Sequence, residues 1–135
     1  MKEFNIDKAL KVTEYNVAGT HFNVQIKHWY TKGYEDLDIR GTHHWCLYAV
    51  IGEEHPLFEN AIQNECDYDT DLGNEIYPKF HGGCTYYNKQ LTYVKIGCDY
   101  NHIYDEYYVS CEELPSGIEQ DAKELFDWFN EKDKR

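Results

Sequence analysis

The sequence predicts an α+β fold: a mostly antiparallel sheet with a C-terminal helix packed on one face. Three observations carry that expectation. Phe22, Val24 and Ile26 alternate with Asn23, Gln25 and Lys27, the period of a strand with one wet face. His44 to Ile51 is a nearly continuous apolar run of strand length, suited to a central strand covered on both sides. Ile118, Ala122, Leu125, Phe126 and Phe129 form one apolar stripe at helical spacing, and such a stripe must lie on something apolar.

Taken in order, Phe4 to Val12 sets Phe4, Ala9, Leu10 and Val12 among charges and is read as a helix. The first strand of the sheet follows at Phe22 and reaches Tyr30, with a turn from Thr31. Pro56 opens a short helical turn, with Leu57, Phe58, Ala61 and Ile62 behind it. Residues 64–74 are polar and acidic and read as a surface loop. Cys84–Tyr87 and Leu91–Cys98 flank Asn88-Lys-Gln as a hairpin. Pro115 followed by Ser116-Gly-Ile-Glu119 reads as a capping box at the start of the last helix.

A chain of 135 residues is the length of a single domain, assigned here to residues 1–135, and is long enough to bury a core without staples. Acidic residues number 25 against 13 Lys and Arg, a formal charge of −12. Such a chain does not track a phosphate backbone and is repelled by anionic membranes, so direct nucleic-acid and membrane binding are not expected. Neither a leader-like apolar run at Met1–Asp7 nor an apolar stretch of about 18 residues occurs, and the expected location is the cytoplasm. Five cysteines without a Cys-x-x-Cys read as reduced thiols, most of them buried.

The charge is concentrated. Between Arg40 and Lys79, and again between Lys95 and Lys123, there is no Lys or Arg, and 15 of the 25 acids fall there. This is either a solubilising surface or a negative face that meets a basic partner, and Asp67, Asp69 and Asp71 are the candidate partner-binding residues. The spacing of those three invites comparison with a calcium loop. Positions six and twelve of such a loop would be Leu72 and Pro78, where Gly and Glu are needed, so no metal site is expected.

The densest chemistry lies in Phe80-His81-Gly82-Gly83-Cys84-Thr85-Tyr86 and in Gly97-Cys98-Asp99-Tyr100-Asn101-His102 with Asp105. Paired glycines let the main chain bend and bring its N–H groups close to a ligand. The intervening hairpin returns Asp99 and His102 to the end of the sheet that holds His81, and His44 begins another strand there. Three readings stand side by side: general acid/base groups, with His tuned by a carboxylate; metal ligands, which lack a helical His-x-x-x-His anchor; and structural caps and turns. On the first reading His81, Asp99 and His102 are the catalytic candidates. His44, Trp45, Gly82, Gly83, Thr85, Tyr86 and Asp105 then line a ligand pocket. No P-loop or nucleophile motif occurs, and no cofactor is expected.

Four pieces occur in order: His44-Trp45-Cys46-x-Tyr48, His55-Pro56-Leu57, His81-Gly82-Gly83-x-Thr85-Tyr86 and Gly97-x-Asp99-x-x-His102-x-x-Asp105. In these the chain resembles a family of small proteins common in bacteriophage and prophage genomes, over about Gly41 to Asp105. The acidic loop between the second and third pieces fits the family's variable insert. Val94-Lys95-Ile96 departs from the Trp or Phe that members often carry before Gly97, so one pocket wall differs. The resemblance implies a phage-associated origin and singles out the same polar residues as the spacing does. The expected function is a phage or prophage accessory protein of the host cytoplasm with a counter-defence role. It would bind a host defence protein or a small, nucleotide-like ligand. The alternative is a small hydrolase or phosphodiesterase-like enzyme using His81, Asp99 and His102.

Overall fold

Alternation in Phe22–Thr31 produces the expected half-buried strand: Phe22, Val24, Ile26 and His28 point inward and their neighbours outward. The computed structural model describes residues 10–38, 40–59, 80–81, 84–101 and 105–133. Its elements are β1 (Leu10–Ala18), β2 (Phe22–Thr31), a short 3-10 turn, β3 (Thr42–Gly52), β4 (Tyr86–Lys89), β5 (Tyr93–Asp99), α1 (Glu106–Val109) and α2 (Ser116–Lys132). The strands form one sheet in the order β1-β2-β3-β5-β4. Every neighbouring pair is antiparallel. Helix α2 packs on β2 and β3. The α+β architecture read from the sequence is the one observed.

Two local expectations are corrected. Leu10–Val12, read as the end of a helix, instead begins β1; residues 4–9 lie outside the described residues. Thr13, Tyr15 and Val17 give β1 the alternation of a strand. The full-length ladder with β2, from Leu10 opposite Thr31 to Ala18 opposite Asn23, satisfies its backbone. The capping box is also not made. Pro115, in an extended conformation, is the N-cap of α2 and Ser116 is already helical. The amides of Ile118 and Glu119 bond directly to the Pro115 carbonyl, each at 3.1 Å. The β4–β5 hairpin is present, shifted about two residues toward the C-terminus from its expected bounds.

The core lies between the sheet and α2. Register sets Val24 beside Ala49 and Ile26 beside Leu47, and then Ala49 beside Ile96 and Leu47 beside Cys98. Trp45, Leu47, Ile51, Val94, Ile96 and Tyr100 are fully buried on the sheet side, as are Ile118, Leu125 and Phe129 on the helix. Phe22 joins the layers, its ring 5.2 Å from Phe126 and 5.7 Å from Phe129. His55 locks the β3 end to the helix. Its Nδ1 accepts the Leu57 amide hydrogen at 3.1 Å, which leaves Nε2 to donate to the Phe129 carbonyl at 3.1 Å. His55 is thus a structural residue.

The opposite sheet face is aromatic and mixed in charge. Trp29 stacks on His44 at 4.9 Å, Lys95 sits 4.2 Å over the Tyr48 ring, and Lys27 pairs with Glu14 at 3.5 Å. Gly97 has a packing role here, because a Cβ at this position would run into the Tyr48 ring and the Leu47 carbonyl. Glycine lets Tyr48 lie across β5 toward Tyr86, whose ring meets it edge-on at 5.2 Å.

Candidate functional site

The strongest polar constellation sits where β5 runs out toward α1. Tyr100 continues the inward alternation of Val94, Ile96 and Cys98 and is fully buried. Its hydroxyl donates to Asp121 Oδ2 on α2 at 2.8 Å. Burial and the neighbouring Cys98 and Asp121 push that phenol well above its usual range, so it stays a neutral donor. The His81 imidazole stacks on Tyr100 at 4.5 Å with the planes 15° apart, and the Tyr108 ring meets it edge-on at 5.7 Å.

Asp105 completes the corner. It occupies the N-cap position of α1, yet its carboxylate makes no capping bond there. The carboxylate instead meets His81 Nε2 at 2.7 Å. The Asp105 side chain is 5% exposed and that of His81 30%, so the acid is inside and the ring reaches the surface. An inner carboxylate fixes the orientation of the ring, the arrangement found in general acid/base pairs.

The sheet separates other residues that the hairpin argument groups together. Asp99 lies on the opposite face, and its Oδ1 accepts the Asn101 amide hydrogen at 3.2 Å, a turn-forming role. His44 is on that face too, with Nδ1 2.6 Å from Asn101 Nδ2 and Nε2 2.9 Å from Thr31 Oγ1. Burial, then the nearby His43, lowers its pKa. Tyr86 is half-exposed there, and the Thr85 amide bonds to the Gly97 carbonyl at 2.9 Å. Trp45 belongs to the core rather than to an open wall, its indole N–H donating to the Cys111 carbonyl at 3.1 Å. Gly82, Gly83 and His102 fall outside the described residues, as do Asp67, Asp69 and Asp71. Of the sequence candidates, the structure brings His81 and Asp105 into direct contact.

No family model, curated protein or solved structure matches this chain.

Function is therefore argued from the groups themselves. Among the described residues no set of three or more His, Cys, Asp or Glu is placed to hold a metal ion, and no helix is long and apolar enough to cross a membrane. Cys46, Cys98 and Cys111 are free thiols. Burial raises the pKa of Cys46 and of Cys98, making both poor nucleophiles.

A second imidazole cluster was not singled out in the sequence. His28 Nε2 lies 2.8 Å from His43 Nδ1. The His28 ring stacks on Trp45 at 4.0 Å, and the His43 ring lies nearly parallel to it with the centroids 5.1 Å apart. The signal was present: the inward set Phe22, Val24, Ile26 extends by the same period to His28 and Tyr30. What brings His43 to them is the β2–β3 register, which sets Tyr30 opposite His43.

Proposed function

We propose that this protein is a phage- or prophage-encoded accessory protein with a counter-defence role, acting by binding in the host cytoplasm. In this reading the His81–Asp105 corner takes a small anionic, nucleotide-like ligand. The observation that carries it is the 2.7 Å contact between a buried carboxylate and an imidazole that reaches the surface. The partly buried Tyr108 ring beside it offers the mix of apolar wall and oriented polar group typical of small-ligand sites. The family resemblance supports the phage origin, and its motifs contain both His81 and Asp105.

The test is a titration of the purified protein with mononucleotides and cyclic dinucleotides, followed by calorimetry, beside plating of a phage carrying each variant on defended and undefended hosts. His81→Ala and Asp105→Asn are expected to weaken binding by about tenfold or more, a loss of roughly 1.4 kcal/mol, and to lower plating on the defended host alone. Binding and plating unchanged in folded variants would remove the reading. Product formation from the bound nucleotide would turn it into the hydrolase alternative, with Asp105 rather than Asp99 orienting His81.

A further inference from the structure

Among the described residues strand β1 is an edge of the sheet, paired on one side with β2 along its nine residues. An edge strand presents a row of outward backbone groups, and proteins commonly blunt such edges with proline, a bulge or inward charges. β1 has neither a proline nor a bulge in its ladder.

Two cavities lie along this strand on its helix side. One, of about 690 Å³, is bounded by Tyr15 and Val17 of β1, by Leu114, and by Ala122 and Phe126 of α2. The other, of about 500 Å³, is bounded by Thr13 and Tyr15, by His28 and Tyr30 of β2, by His43 of β3 and by Glu112. Tyr15 lines both, so an apolar recess and a polar recess flank its side chain along the strand and together make the groove of β1. Its β1 wall is Thr13 and Tyr15 at the polar recess and Tyr15, Asn16 and Val17 at the apolar one, so the alternate residues Thr13, Tyr15 and Val17 recur along its length. A strand added outside β1 would repeat the same alternation and drop every second side chain into the groove, roughly 7 Å apart.

Charge selects the occupant. Glu112 stands at the polar half and Glu119 at the apolar half. The Lys123 ammonium beside the groove is taken up by Asp127 at 2.9 Å. A second copy of this chain would bring −12 against −12 and be repelled.

We propose that β1 and this groove dock an extended segment of another protein by strand addition, the segment carrying an apolar residue for the Phe126 end and a Lys or Arg for the His43–Glu112 end. Main-chain bonds to β1 supply the affinity and the two half-grooves supply the selection. This surface is separate from the His81 corner.

The probe is a synthetic nine-residue peptide, matched to β1, that alternates outward threonines with inward valines and carries one inward lysine. A companion peptide has glutamate in place of that lysine. Hydrogen exchange on the full chain is expected to show alternate β1 amides exchanging quickly in the free protein and slowly with the lysine peptide. The glutamate peptide should bind about tenfold more weakly, and Glu112→Lys should reverse the preference. His81→Ala should leave all of this unchanged, which keeps the result independent of the ligand reading. Protection of the Tyr86–Lys89 edge instead of β1, absence of binding by either peptide, an indifferent Glu112→Lys variant, or β1 amides already fully protected in the free chain would each overturn the proposal.

Discussion

His28 and His43 face each other across neighbouring strands with Nε2 and Nδ1 2.8 Å apart. Such a contact needs one nitrogen to donate and the other to accept, so the two rings cannot both carry a full complement of protons without breaking it.

A pH dependence follows from that geometry. Burial lowers the His28 pKa below its ordinary 6.5, with the neighbouring His43 adding to the effect. The His44 pKa moves the same way for the same reasons. The folded state therefore binds fewer protons than the unfolded chain just below pH 6.5, and stability must fall as protons are added. Stability from these groups is complete above about pH 6.5 and is lost as pH drops from there through the lower folded values. Melting temperature should be level between about pH 7 and 8 and decline toward pH 5.5. The decline should be shallower in His28→Gln. An equal slope in the variant would assign the decline to other groups.

The chain revealed its strongly patterned elements and concealed those that depend on pairing. β2, β3 and α2 were legible because each buries a regular set of apolar side chains. β1 was not, because an edge strand with Tyr15 and Val17 partly in solvent has a weak pattern, and its charges mimic a polar helix face. The imidazole–carboxylate contact was expected at the right end of the sheet, since hairpin geometry is local. Which carboxylate makes it was not legible. Asp99 is the last residue of β5, and strand alternation turns it to the far face, whereas Asp105, at the N-cap position of α1, meets His81.

His55 makes a prediction about the fold rather than the site. It is almost fully buried and bridges the Leu57 amide to the Phe129 carbonyl. His55→Ala should leave the Leu57 N–H without that acceptor and open a cavity beside Phe22, at a cost of about 1–3 kcal/mol. Urea denaturation would measure this. A change under about 0.5 kcal/mol, the range of ordinary surface substitutions, would mean that the bridge does not hold the helix.

The helix stripe is unevenly buried. Phe129 is fully enclosed, while Phe126 is half-buried at the edge of the groove beside β1. Phe129→Ala should therefore cost about 3–5 kcal/mol, the range for an enclosed ring, and Phe126→Ala clearly less. Equal losses in thermal or urea unfolding would mean that the groove is closed in solution. Phe126 would then be a core residue like its neighbour.

Asp105 and Asp99 provide the sharpest contrast, because both lie in one sequence motif and the structure gives them different work. The Asp105 carboxylate is inside the protein and holds the His81 ring at 2.7 Å, so an amide there replaces a charged partner with a neutral one in a buried place. Asp105→Asn should cost about 1–3 kcal/mol, the range for disturbing a hydrogen bond to a charged group. Asp99 accepts the Asn101 amide hydrogen at a turn, a bond that asparagine can equally accept, and Asp99→Asn should cost less than Asp105→Asn. Urea curves of the wild type and the two variants read the cost, and proton NMR of the His81 ring at one pH reads whether its surroundings change. If Asp99→Asn moves the His81 ring resonances and costs more stability than Asp105→Asn, Asp99 is the carboxylate that governs the site, and the corner as built from Tyr100, Tyr108 and Asp105 is not its working form.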